Sequence, residues 1–116
     1  MKPILIVANL KSNKTSFEAK KWLEEISNLK SQILNLDKEI IVCPPFTLLS
    51  LFKQYIDEQK LPIRIGAQDI SAFDSGPYTG EISGTQIKEF ADYVLIGHSE
   101  RRNLLGESEE MLEKKV

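Results

Sequence analysis

The chain has 116 residues, a formal net charge of −2 and a hydrophobic content of 41%, which suit a single domain over residues 1–116. A chain this close to neutrality has no general attraction to nucleic acid or an anionic membrane, and no apolar run approaches the roughly 20 residues that span a bilayer. A single cysteine excludes an internal disulfide, and the short apolar start is not typical of a signal peptide, so we expect a cytoplasmic protein.

Four short apolar runs alternate with segments of helical periodicity. The predicted strands are residues 4–8, 40–43, 63–67 and 93–96. The last of them has the length and type of a strand that is buried on both faces. Cys43 falls inside the second run, where we interpret it as a small core residue and not as a nucleophile. Strands that alternate with helices imply βαβ units, so the sequence predicts an α/β fold with four parallel strands.

The intervening segments have the pattern of amphipathic helices. The predicted helices are residues 16–34, 47–59 and 84–91, with the opening of a fourth at 107–116. Capping boxes precede the first and third of them, formed by Thr15 with Glu18 and by Ser83 with Gln86. The apolar positions expected to face the core are Ala19, Trp22, Leu23, Ile26, Leu29 and Ile33 in the first helix, and Leu48, Leu51, Phe52, Tyr55 and Ile56 in the second.

Polar residues follow three of the predicted strands. Asn9 and Lys11 come after the first strand, Gln68 after the third, and the chain's single histidine, His98, after the fourth. The carboxyl ends of parallel strands lie at the same edge of a sheet, so we expect these side chains to converge there. An ammonium group, an amide and an imidazole at one edge can hold an anionic substrate and polarise its carbonyl group.

Each of these residues also has a simpler interpretation. A lone histidine is often a core or capping residue, and a lysine in a loop is usually solvated. An asparagine at the end of a strand is often a turn residue. The setting of His98 favours a functional role, because Gly97 allows a sharp turn after the strand and a cluster of charged residues follows.

Five ordered segments make the chain resemble the N-terminal half of the triosephosphate isomerase family. They are residues 9–11 (Asn-Leu-Lys), 42–46 (Val-Cys-Pro-Pro-Phe), 66–69 (Gly-Ala-Gln-Asp), 78–83 (Tyr-Thr-Gly-Glu-Ile-Ser) and 96–102 (Ile-Gly-His-Ser-Glu-Arg-Arg), the last followed by Gly106 and Glu107. They follow one another in order and at suitable spacing through essentially the whole chain, and together they are far more specific than any one alone. Leu10 departs from the aromatic residue usual in the family, which alters packing and leaves the lysine in place.

The resemblance implies a fold and an activity. The fold is the N-terminal half of a TIM (β/α)8 barrel, comprising the first four βα units with an incomplete last helix. The activity is the interconversion of dihydroxyacetone phosphate and glyceraldehyde 3-phosphate through an enediolate, in glycolysis and gluconeogenesis. The small-molecule triose phosphate is the expected ligand, and neither a cofactor nor a metal is expected.

The resemblance also implies roles for the residues at the strand ends. Lys11 would neutralise the phosphate and enediolate charge, and Asn9 would help to position the substrate. His98 would be a neutral electrophile that polarises the carbonyl group and moves a proton between the two oxygens. Glu100 would be an acidic residue of the catalytic site, close to both Lys11 and His98.

Further residues have supporting roles by the same resemblance. Ser99 would support the histidine loop, and Gln68 would support the site or the subunit interface. Thr79 would lie at the tip of the loop 68–81, which in the family reaches into a partner subunit of a homodimer. Arg101 and Glu107 are expected to form a structural ion pair.

The family's general base, its closing lid and its glycine-rich phosphate loops lie outside the part that this chain matches. We therefore expect the chain alone to have no significant isomerase activity and to require a C-terminal half fragment. One alternative is a non-catalytic, phosphate-binding or self-associating half-barrel. Another is a flavodoxin-like domain, although residues 9–13 hold no glycine for its phosphate loop.

Overall fold

The frame of the fold is one parallel β-sheet. The computed structural model describes residues 4–116. The strands are β1 (Leu5–Asn9), β2 (Glu39–Cys43), β3 (Arg64–Ala67) and β4 (Tyr93–Val94). They lie in the order β1-β2-β3-β4, and each pairs in parallel with the next. This sequential order is that of half of a (β/α)8 barrel, so the predicted fold class is confirmed.

Six helices accompany the strands in the described part of the chain. They are α1 (Ser16–Asn28), α2 (Lys30–Leu34), α3 (Leu49–Gln59), α4 (Gly84–Ile87), α5 (Ser99–Leu104) and α6 (Glu109–Lys115), and a 3-10 turn, Phe46–Leu48, precedes α3. Both predicted capping boxes are present. Within residues 4–116, no helix has the length and apolar character needed to cross a membrane.

Two predicted helices end earlier than expected, and one helix was not predicted. The first helix ends at Asn28. The N–H of the next residue, Leu29, is bonded to the carbonyl groups of Ile26 and Ser27, and this tight turn separates α1 from α2. Leu29 is consequently exposed and does not face the core. The third helix is a single turn, α4, because turns replace the helix from residue 88 onward. The segment 99–104 forms the separate helix α5, which the sequence did not predict.

The fourth strand is also shorter and more exposed than predicted. It covers two residues, and Tyr93 is 36% exposed. The prediction of a strand buried on both faces is therefore wrong for this chain. Among the described residues β4 pairs with β3 alone, so its other edge is uncovered.

The helices pack on one face of the sheet. The buried apolar residues of this core come from both helices and strands and include Ala19, Leu23, Val42, Leu49, Phe52, Ile56, Ile65, Ala67 and Ile87. The ring of Trp22 lies 5.9 Å from that of Phe52. Cys43 is 1% exposed, as predicted for a core residue. Burial raises the pKa of its thiol to about 11, so the thiol is a poor nucleophile at neutral pH.

Strand β1 forms an exposed apolar edge. Ile4, Leu5, Ile6 and Val7 are between 42% and 59% exposed. Among residues 4–116, β1 pairs with β2 and with no other strand. An uncovered parallel edge of this kind is a ready site for pairing with further strands.

Gly66 marks a close approach between β2 and β3. A Cβ atom at this position would lie 2.7 Å from Cys43 Sγ and 3.2 Å from Ile41 Cγ2. Gly66→Ala is therefore expected to lower the free energy of unfolding by about 1–3 kcal/mol through overpacking. Urea denaturation followed by the fluorescence of Trp22 measures this change.

A matched variant separates the steric effect from other effects of the added methyl group. In a Cys43→Ala background, which removes the sulfur, Gly66→Ala should cost less than it does in the wild-type chain. An equal cost in both backgrounds would contradict the close approach as its cause.

Candidate active site

The end of β1 forms a tight turn that presents Lys11. Asn9 is the last residue of the strand, and its Oδ1 accepts a hydrogen bond of 2.9 Å from the backbone N–H of Lys11. Lys11 has a φ of +55°, a conformation that is uncommon for residues other than glycine. Strained backbone of this kind persists where the surrounding structure holds it in place. The Asn9 side chain is one of the groups that hold it.

Gln68 ties together the ends of three strands. It follows β3, and its Nε2 donates hydrogen bonds of 2.8 Å to the carbonyl oxygens of Lys11 and of Cys43, the last residue of β2. One side-chain amide therefore fixes the exit of β1 against the exits of β2 and β3. This contact supports the Lys11 backbone directly.

Gln68→Glu is expected to destabilise this junction. A carboxylate has no N–H to donate and would place negative charge against two carbonyl oxygens, at a cost of about 1–3 kcal/mol. Urea denaturation at neutral pH measures the loss. The matched control is Gln86→Glu, because Gln86 acts in its capping box through Oε1, which a glutamate retains. Equal stability of the two variants would count against the proposed role of Gln68.

His98 lies at the start of α5 in a defined orientation. Its Nδ1 accepts a hydrogen bond of 3.1 Å from the backbone N–H of Glu100, so the ring caps the helix. A nitrogen that accepts a hydrogen bond carries no proton, and a neutral ring in this position holds its proton on Nε2. This is the nitrogen that can donate to a substrate oxygen.

Glu100 joins Lys11 and His98, the first through its carboxylate and the second through its backbone N–H. The Nζ atom of Lys11 lies 2.6 Å from Glu100 Oε1, and Nδ1 of His98 lies 3.9 Å from Glu100 Oε2. The hydrogen bond from Lys11, with the charge of that residue, holds the pKa of Glu100 below its usual range. Glu100 is consequently an ionised group of low basicity.

The structure does not bring every predicted site residue together. Asn9, Lys11, Gln68, His98 and Glu100 are linked by the contacts above. Ser99 is an exposed first residue of α5, and Thr79 is exposed in the loop 68–81. Among the described residues, no hydrogen bond connects either side chain to Lys11 or to His98.

A concavity of about 1110 Å³ lies elsewhere, at the amino ends of the strands. Its lining includes Ile4, Glu39, Arg64 and Asp92, with charges of both signs. It is remote from the carboxyl edge that carries Lys11 and His98. We place the candidate site at the carboxyl edge, because the polar groups that can act on a substrate converge there.

A network of four charges, of which Glu107 and Lys115 are buried, supports the histidine segment. Arg101 pairs with Glu107 at 3.0 Å, which confirms the predicted ion pair, and Arg101 also lies 3.2 Å from Asp69. Lys115 joins both carboxylates, at 2.7 Å from Asp69 and 2.6 Å from Glu107. The network connects the residue after Gln68 to α5 and α6.

No local sequence pattern indicated this buried position of Lys115. Its place near the end of a helix is typical of an exposed residue that interacts with the helix dipole. In the structure its side chain is 3% exposed. Burial lowers the pKa of Lys115, but the hydrogen bonds to Asp69 and Glu107 outweigh burial and raise it overall.

The fold and the site define one half of a parallel (β/α)8 barrel with polar groups at its carboxyl edge. The chain belongs to the triosephosphate isomerase family, whose sequence model matches residues 4–116. It is 41% identical over 117 residues to a triosephosphate isomerase of Alkaliphilus metalliredigens, covering 100% of this chain and 45% of that protein.

Two further relatives, both also triosephosphate isomerases, give the same result. The chain is 39% identical to the protein of Trichodesmium erythraeum, covering 100% of this chain and 47% of the relative. It is 43% identical to the protein of Chlamydia muridarum, covering 96% and 40% respectively. The chain therefore spans less than half of the length of these curated relatives.

Proposed function

We propose that this chain supplies the substrate-binding and electrophilic part of a triosephosphate isomerase site. The reaction is the interconversion of dihydroxyacetone phosphate and glyceraldehyde 3-phosphate through an enediolate. The observation that carries the proposal is the meeting of Lys11 and His98 at Glu100, on the carboxyl edge of the sheet. Membership of the isomerase family supports it.

Each group of the cluster has a chemical task. The Lys11 ammonium binds the phosphate and offsets the negative charge that develops on the enediolate. The Asn9 side chain, whose oxygen is engaged with the backbone of Lys11, leaves its amide hydrogens for the substrate. His98 donates from Nε2 to the carbonyl oxygen and moves a proton between the two oxygens. The reaction needs no cofactor or metal for these steps.

Glu100 is unsuited to be the general base. Proton abstraction beside a carbonyl group is most efficient with a base whose pKa lies near the working pH. The ordinary pKa of a glutamate already lies below that range, and the hydrogen bond from Lys11 lowers the pKa of Glu100 further. We assign Glu100 to keeping Lys11 in place and the base to residues outside 4–116, so that the 116-residue chain has no significant isomerase activity by itself.

The partners follow from the same proposal. A C-terminal half, as a separate fragment or as further chain, would pair with the exposed edges of β1 and β4 and supply the base. The loop 68–81 would form a homodimer in which Thr79 braces the Asn9 and Lys11 of the other copy. Phe73 and Tyr78 stack in this loop at 4.4 Å and are both at least 40% exposed, which suits an interface. A glycolytic role would place the protein in the cytoplasm.

A second candidate function rests on a separate observation. The exposed apolar residues of β1 favour association with other strands, whether or not a base is available. The chain would then be a non-catalytic half-barrel that binds phosphate esters or associates with itself.

The test is an isomerase assay with and without a separately expressed C-terminal half of the Alkaliphilus metalliredigens relative. The chain alone should be inactive, and mixing should restore activity that His98→Ala abolishes. A mixture that assembles without gaining activity would contradict the proposed site and favour the non-catalytic alternative. Isomerase activity of the chain alone would overturn the assignment of the base.

A further inference from the structure

The peptide bond before His98 is held by a guanidinium group. Gly97 has a φ of +76°, and its carbonyl oxygen accepts a hydrogen bond of 3.0 Å from Nε of Arg102. A Cβ atom at Gly97 would lie 3.0 Å from Arg102 Nη2, so the guanidinium covers this glycine closely. The carbonyl group belongs to the same peptide plane as the backbone nitrogen of His98.

The same guanidinium is anchored at its other side. Arg102 Nη1 lies 2.8 Å from Oε1 of Glu109, the first residue of α6. Leu112 of α6 also packs here, because a Cβ atom at Gly97 would lie 3.4 Å from Leu112 Cδ1. The fixed fork of an arginine can serve two acceptors in set directions, which a lysine cannot. Arg102 therefore links α6 to the peptide that precedes the histidine.

We propose that Arg102, held by Glu109, is a positioning residue that sets the orientation of the His98 ring. The inference rests on the proposed role of His98. Glycine leaves the backbone at residue 97 free to rotate unless another group holds it. With the peptide plane fixed, Nδ1 of His98 meets the N–H of Glu100 and the proton stays on Nε2. Without Arg102, the plane turns and this hydrogen bond weakens.

If Arg102 had a purely structural role, its loss would lower global stability and leave the His98 ring unaltered. The positioning role predicts the opposite. The side chains of Arg102 and Glu109 are 45% and 81% exposed, and exposed ion pairs contribute little to the free energy of unfolding. Loss of Arg102 should consequently leave global stability nearly unchanged while it alters the histidine. The two effects are separable by experiment.

The experiment uses nitrogen NMR of the imidazole ring in the 116-residue chain. His98 is the single histidine, so its two ring nitrogens give the only imidazole signals. The spectra are recorded at alkaline pH for the wild type, Arg102→Gln, Arg102→Lys, Glu109→Gln and the control Glu110→Gln. Exchange of the Glu100 amide hydrogen reports on the hydrogen bond to Nδ1, and urea denaturation reports on global stability.

In the wild type we expect two well-separated signals, one from a protonated Nε2 and one from an unprotonated Nδ1. In Arg102→Gln the two signals should move toward each other, and the Glu100 amide should exchange about tenfold faster, as for the loss of one hydrogen bond. Arg102→Lys should resemble Arg102→Gln, Glu109→Gln should shift in the same direction by less, and Glu110→Gln should match the wild type.

Unchanged His98 signals in folded Arg102→Gln would overturn the inference. If that variant does not fold, unchanged signals in Glu109→Gln would overturn it equally. The result is independent of turnover, because the ring orientation is measured in the chain alone. Failure of the isomerase assay with positive NMR results would refute the proposed function and leave the positioning of His98 by Arg102 established.

Discussion

Lys115→Met is expected to lower the free energy of unfolding by about 3–5 kcal/mol, as for the removal of one partner from a buried ion pair. Lys115 is 3% exposed and pairs with Asp69 and Glu107, whose side chain is 1% exposed. Methionine has a similar length and no charge, so it leaves two carboxylates that Arg101 alone must neutralise. Urea denaturation followed by Trp22 fluorescence measures the loss.

The matched control is the neighbouring lysine. Lys114 is exposed, so Lys114→Met should change the free energy of unfolding by less than about 0.5 kcal/mol. Similar small effects for both variants would show that Lys115 is not buried among these charges. A loss confined to Lys115→Met would support the network that joins Asp69 to α5 and α6.

The same network predicts how stability depends on pH. Burial raises the pKa of Glu107, but the hydrogen bonds from Lys115 and Arg101 outweigh burial and lower it overall. Its contribution is therefore present above the unfolded value of about 4.3 and is lost as the pH falls through the lower, folded pKa. The pKa of Lys115 is raised, so its contribution is present below about 10.4 and is lost as the pH rises through the higher, folded pKa. Lys115→Met should make the free energy of unfolding depend less on pH at both the acidic and the alkaline end, as measured by urea denaturation across the pH range.

Lys11→Met is expected to lower kcat/KM by about 10²–10³-fold or more in the completed barrel, since it removes a group that stabilises developing negative charge. The completed barrel is the mixture with the C-terminal half of the relative. Lys11 is the cation that the turn after β1 presents beside His98 and Glu100. The loss should appear in KM, through the phosphate, and in kcat, through the enediolate.

Lys20→Met is the control for this variant. Lys20 is an exposed residue of α1, and its replacement removes one positive charge outside the cluster. Its kcat/KM should remain within about twofold of the wild type, because screening weakens the effect of distant charges. Equal losses for the two variants would indicate a general effect of charge and contradict a specific role for Lys11.

The parts of the fold that could be predicted are those that local sequence patterns indicate. Alternating strands and helices predicted the parallel sheet, and the capping boxes at Thr15 and Ser83 marked two helix starts. The gathering of Lys11, Gln68 and His98 followed from topology, because the carboxyl ends of parallel strands share an edge. These inferences needed no knowledge of long-range contacts.

The features that escaped prediction depend on geometry beyond a local pattern. The break at Leu29 is a single tightened turn inside an apolar periodicity that otherwise continues. Helix α5 has six residues and is capped by His98, and histidine is not among the preferred capping residues. Lys115 lies 46 positions from Asp69 in the sequence, and no local pattern reports a pairing over that distance.

The central claim is that Glu100 joins Lys11 and His98, the first through its carboxylate and the second through its backbone N–H. Carbon NMR titration of the Glu100 carboxyl group tests the contact with Lys11 most directly. The wild-type chain should show a midpoint below about 4.3, the ordinary glutamate value, and Lys11→Met should move that midpoint upward toward it. A wild-type midpoint at the ordinary value that Lys11→Met does not change would contradict the ion pair between Lys11 and Glu100, and with it the proposed site.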